Sequence, residues 1–209
     1  MNKPKIKICG ITRQQDAKLA AELGAWAVGF IFVENTPRYI QPEKAFEIIK
    51  TLPEKINKIG VFANASAEKI TEITKIAEIT KIQLHGDESP DFCKKLAGLT
   101  GKEIIKAIRI NSENDLDLIN IYKENVSFIL LDSYSEKHIG GTGKTFDWEI
   151  AKKAKEKGVP IILAGGLNPK NIKQAYETVQ PYALDVASGT ESTRGVKDPE
   201  KLKNLFESI

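Results

Sequence analysis

Eight times along the 209 residues, a short run rich in Val, Ile and Phe is followed by a stretch with helical apolar spacing. The strand-like runs are 5–9 (KIKIC), 25–33, 58–62, 79–84, 104–109, 127–132 (SFILLD), 159–164 and 183–187. Between and after them, helical patterns cover 16–23, 42–52, a stretch from Ser66, 89–96, 112–122, 147–156, 168–179 and 199–206. Pro42, Pro90 and Pro199 stand at predicted helix starts, where a missing N–H costs nothing, and Ser66 offers an N-cap oxygen. Strict alternation of this kind predicts a parallel sheet with helices outside it. Each unit has about 26 residues, enough for a strand and a helical crossover. Eight such units predict one closed (β/α)8 barrel over 1–209, with eight parallel strands and outer helices. An open dinucleotide-binding sheet would need a glycine fingerprint after the first strand, where this chain reads CGIT.

Charge and composition narrow the partners. Thirty-one basic and 28 acidic residues leave a net charge of +3, and the signs are interspersed, which argues against a nucleic-acid or membrane footprint. The longest apolar run, 26–33, is far short of the roughly 20 residues of a membrane span, and the amino terminus lacks a secretory apolar core. Two cysteines without motif spacing predict neither a disulfide framework nor a zinc site, and a cytoplasmic location is expected. Oligomeric state is open between monomer and homodimer. Only four of the basic residues are arginines, so Arg38, after Pro37 in NTPRYI, stands out as a bidentate anion contact.

In a barrel of this type, chemistry sits at the carboxyl ends of the strands. That rule selects Cys9, residues 32–38 with Arg38, residues 62–64, His85, Arg109, Asp132, the 164–166 turn and the 187–189 turn. Gly165 and Gly166 follow the seventh strand, and Ser188 and Gly189 the eighth, where such barrels often bind phosphate on backbone N–H groups. Gly141 and Gly143 in GGTGK add bare backbone beside Lys144. That segment is not a nucleotide P-loop, because the position of its first glycine is His138 and it does not directly follow a strand. Cys9 as a thiolate is a candidate base, against the alternative of a buried structural cysteine. Asp132 in a dry pocket is a candidate general acid, against a loop cap. His85 orients substrate or caps its loop, Cys93 reads as core, and Asp185 reads as a satisfied structural carboxylate.

Taken in order, KICGIT (7–12), GFIF…PRYI (29–40), GVFAN (60–64), IQLHG (82–86), LLDS (130–133), GGTGKTFDW (140–148), LAGGLNP (163–169) and LDVASG (184–189) resemble the phosphoribosylanthranilate isomerases of tryptophan biosynthesis. Ala63, Ala187 and Thr190 depart from that pattern, where Val, Ser and Val are frequent. The resemblance implies an Amadori rearrangement of N-(5-phosphoribosyl)anthranilate to 1-(2-carboxyphenylamino)-1-deoxyribulose 5-phosphate, with no metal or organic cofactor. It implies Asp132 as the acid that opens the furanose ring and Cys9 as the base at C2. It assigns Arg38 to the anthranilate carboxylate, and Gly141, Gly143, Gly165, Gly166, Ser188 and Gly189 to the phosphate. A small phosphosugar is then the partner. Two other readings stay open: another phosphosugar enzyme on this fold, such as the histidine-pathway aminoaldose isomerase or indole-glycerol-phosphate synthase, and a non-catalytic phosphosugar-binding barrel.

Overall fold

Strand parity explains how the chain closes on itself. In a computed structural model, which describes residues 3–133 and 148–209, eight strands form a closed parallel barrel in sequence order. They are β1 (Lys5–Cys9), β2 (Ala27–Ile31), β3 (Asn57–Phe62), β4 (Lys81–Leu84), β5 (Glu103–Ile110), β6 (Phe128–Ser133), β7 (Ile161–Leu163) and β8 (Ala183–Val186). The seam pairs β1 with β8, Lys7 lying opposite Asp185, and β1 meets β2 with Cys9 opposite Gly29. Successive side chains point to opposite faces. One parity set, including Ala27, Ile59, Ile105, Phe128, Leu130, Ile162 and Ala183, fills the barrel interior. The other, including Ile8, Phe30, Ile82, Ile129, Leu163 and Leu184, packs under the helices.

Those helices are α1 (Gln14–Glu22), α2 (Pro42–Ile49), α3 (Ala67–Ile76), α4 (Pro90–Thr100), α5 (Asp117–Tyr122), α6 (Trp148–Lys155), α7 (Ile172–Val179) and α8 (Pro199–Glu207). Ser66, Ser89 and Asp198 cap α3, α4 and α8 by accepting backbone N–H bonds. Each cap is worth about 1 kcal/mol, whereas full burial of one Leu or Ile contributes about 1.5–3 kcal/mol. The two apolar layers therefore dominate, and the caps set where helices begin.

Several boundaries differ from the sequence expectation. Helix α4 runs past Leu96 to Thr100 and stops at Gly101, whose left-handed φ of 63° reverses the chain. The stretch 112–122 begins as a 3-10 turn, Glu113–Leu116, because Asp115 takes the N–H groups of Asn111 and Ser112. Helix α7 starts at Ile172 rather than 168. There Asn171 Oδ1 accepts from Asn168 N–H while both Asn side chains donate to Gly166 O, so the segment is spent on a turn. A short antiparallel hairpin after β8, β9 (Glu191–Thr193) with β10 (Val196–Lys197), was not expected from the sequence. Asp147 and the glycine-rich loop before α6 lie outside the described residues.

Candidate active site

The inward parity that fills the barrel with Ile and Leu below carries polar side chains at its upper end. Cys9, Gln83, Asp132 and Asp185 all lie on that face, and with His85 just past β4 they line a cavity of about 240 Å3 at the carboxyl rim. Arg38, Gly165, Gly166 and Ser188 line the same cavity. With Ala164 and Ala187, nine of the residues selected from the sequence thus share one space. Gly189 follows Ser188 in a 3-10 turn and packs against the seventh loop: a Cβ there would stand 2.0 Å from Leu167 O. Gly165 and Gly166 have φ of 89° and 66°, a backbone that other residues adopt only with strain. Gly141, Gly143 and His138 lie outside the described residues.

The thiol of Cys9 is buried, 5% exposed. Burial pushes its pKa above the ordinary thiol value, and the Lys7 ammonium pulls in the opposite direction without overcoming it. Facing the cavity from β6, Asp132 Oδ2 lies 3.3 Å from His85 Nε2. The other ring nitrogen, Nδ1, is 3.1 Å from Gln83 Nε2. With the amide donating to Nδ1, the ring presents its Nε2–H to the carboxylate, so Gln83 and His85 orient Asp132 in sequence. Gln83 Oε1 and Asp185 Oδ1 are buried side-chain atoms with no hydrogen-bond partner among the described residues.

Arg38 is not free in the second loop. Its Nε donates to Glu191 Oε1 at 2.8 Å and its Nη2 to Oε2 at 2.7 Å. The hydrogen bond from Arg38, with the positive charge of Lys197, holds Glu191 below the usual carboxylate range although burial alone would raise it. Lys197, 1% exposed, donates to Ala187 O at 2.8 Å and lies 3.4 Å from Glu191 Oε1. The unexpected hairpin therefore fixes the arginine and ties it to the turn after β8.

Comparison with known proteins decides the affiliation. The sequence model of the N-(5'-phosphoribosyl)anthranilate isomerase family matches residues 6–208. The chain belongs to this family. A phosphoribosylanthranilate isomerase of Trichlorobacter lovleyi is 45% identical over 202 residues, 97% of this chain and 96% of the relative. The crystal structure of a family member from Thermotoga maritima superimposes with a TM-score of 0.91 at 38% identity, covering 99% of this chain and 98% of that one. Another isomerase, in complex with reduced 1-(o-carboxyphenylamino)-1-deoxyribulose 5-phosphate, gives 0.88 at 36% identity with the same coverage.

Within this isomerase barrel, sequence reasoning missed Lys7, Gln83, Glu191 and Lys197. It also read Asp185 as satisfied. Among the described residues its Oδ2 is partnered, by Lys7 Nζ at 2.9 Å, and its Oδ1 is not, and the residue lines the cavity. Position supplied a usable signal for three of these. Lys7 and Gln83 lie two residues before Cys9 and His85 on the same inward face, and Asp185 lies two before Ala187. Nothing local marked Glu191 or Lys197. Arg109, selected at the end of β5, is exposed and lies outside the cavity lining. Cys93 is fully buried, as expected of core. No group of three or more His, Cys, Asp or Glu side chains among the described residues is placed to hold a metal ion, and none of their helices is long and apolar enough to cross a membrane.

Proposed function

We propose that the isomerisation that names the family takes place at this cavity, with Cys9 and Asp132 as its proton-transfer pair. The observation that carries the reading is that both side chains, from strands on different sides of the barrel, line one small cavity together with Arg38 and the two glycine-bearing turns. N-(5'-phosphoribosyl)anthranilate presents one phosphate, one carboxylate, and a need for one acid and one base. Asp132 delivers a proton to the furanose ring oxygen as the C1–O bond breaks, giving the ring-opened iminium. The Cys9 thiolate then takes the proton from C2, and the electron pair left there neutralises the iminium as an enolamine. Proton return to C1, with loss of the proton from the C2 hydroxyl, gives the aminoketone, so the steps move protons without net oxidation or reduction.

Arg38 supplies N–H donors to the anthranilate carboxylate, and His85 holds the acid beside the reacting ring. Backbone at Gly165, Gly166, Ser188 and Gly189 cradles the phosphate, joined by Gly141 and Gly143 from the sixth loop. The same reading takes residues 1–209 as one barrel domain, a cytoplasmic monomer or homodimer acting on a small phosphosugar with neither metal nor organic cofactor. Turnover by Cys9→Ser and by Asp132→Asn tests it. Each is expected to fall by at least about 10²-fold, as loss of a general acid or base should cause. A folded variant turning over near the wild-type rate overturns the role given to that residue.

A further inference from the structure

The buried lysine beneath the cavity has too few partners. Lys7 is 0% exposed, and its ammonium carries three donors. One goes to Asp185 Oδ2 at 2.9 Å, the one oxygen within hydrogen-bond distance among the described residues. Lys106, also buried, is surrounded instead by the carbonyls of Leu84, Gly86 and Ala107 and by Glu88 Oε2. A buried donor without an acceptor is costly, so the remaining N–H groups of Lys7 require a second partner.

The strand geometry offers the Cys9 sulfur for that place. Lys7 and Cys9 lie two residues apart on the inward face of β1, both alongside β2, where Gly29 pairs with Cys9. A Cβ built on Gly29 would come within 2.9 Å of Cys9 Sγ and 3.2 Å of Lys7 Cε, so the two side chains converge over a backbone with no side chain to separate them. We propose that Lys7 is a positioning residue for Cys9, its ammonium being the counter-charge that lets a sulfur anion exist in so buried a place. Asp185 sets how much of that charge the sulfur feels.

The surrounding groups agree with this assignment. Around Cys9 are Lys7 from β1, Asp185 from β8, Arg38 after β2 and Lys197 from β10; Glu191 of β9 holds Arg38 and pairs with Lys197, and His85 and Asp132 line the same cavity. Lys7, Arg38 and Lys197 are three cations against the two carboxylates of Asp185 and Glu191 in the buried cluster. The effects on the sulfur have opposite signs: Lys7 favours its anion and Asp185 disfavours it.

This inference rests on Cys9 being the base, but its test reads the thiol directly. The rate of alkylation of Cys9 by iodoacetamide, followed by peptide mass spectrometry, is measured against pH for the folded protein without substrate. Cys93 is read apart from Cys9, because the two alkylated cysteines fall in different peptides. Lys7→Met is expected to move the midpoint of the profile upward by at least about one pH unit, and Asp185→Asn to move it downward. A merely structural pair would not give opposite shifts. Should Lys7→Met fail to fold, Lys7→Met/Asp185→Asn removes both charges together, and its midpoint is expected above that of the wild type. Midpoints unchanged, or shifted the same way by the two single variants, overturn the proposal while leaving the base role of Cys9 to its own turnover test.

Discussion

Arg38 shows how one side chain is prepared for a ligand before the ligand arrives. A guanidinium has five N–H donors, and Glu191 engages two of them in a fork that fixes the plane of the group. The donors left over face the cavity with little rotational freedom to lose. A charge-assisted hydrogen bond contributes about 1.5–3 kcal/mol, so Arg38→Ala is expected to raise KM for phosphoribosylanthranilate by roughly tenfold to a hundredfold. Steady-state kinetics would show this with a smaller change in kcat, and an unchanged KM would contradict the assignment. At this scale the strand-end rule picked out Cys9, His85 and Asp132, which share the cavity, and also Arg109, which does not line it. Lys7 and Gln83 lay one step deeper, two residues before Cys9 and His85 in the alternating runs KIKIC and KIQLH, and reading them required carrying the inward parity back from the strand ends.

Elements account for the part of the site that no strand end supplies. The β9–β10 hairpin brings Glu191 and Lys197 back over the eighth strand, and these hold Arg38 from the second loop, 153 residues away in sequence from Glu191. No local pattern announces such a contact: three and two residues are too few for a period, and their partner is remote. The hairpin also couples the site to stability. In the folded protein the pKa of Glu191 is net lowered, so its contribution is fully present above the unfolded value of about 4.3 and is lost as pH falls through the folded value. Urea midpoints followed from about pH 6 to about pH 3 are therefore expected to fall more steeply for the wild type than for Glu191→Gln. Identical slopes would show that this carboxylate is no better stabilised folded than unfolded. Helix ends taught a similar lesson. Pro42, Pro90 and Pro199 marked starts correctly, whereas α7 began four residues late because Asn168 and Asn171 serve the turn after β7 that carries Gly165 and Gly166.

For the molecule as a whole, the repeat of strand and helix was the most legible feature, since eight units of a closed sheet leave no edge and each strand finds two partners. Closure has a chemical consequence. The middle of the barrel interior is apolar at Ala27, Ile59, Ile105, Leu130 and Ile162, whereas β1 turns Lys7 and Cys9 inward and β4 Gln83, and the carboxyl rim is polar. The buried pair of Lys7 and Asp185 is thereby placed beneath Cys9, while a second buried pair, Lys106 with Glu88, lies outside the cavity lining. The central claim is that this barrel isomerises phosphoribosylanthranilate at that rim. Its most direct test adds the purified chain to enzymatically generated phosphoribosylanthranilate and follows the fluorescence of the substrate. The account predicts rapid loss with wild-type protein and at least about 10²-fold slower loss with Cys9→Ser. Fluorescence that persists at generous concentrations of wild-type protein would contradict it.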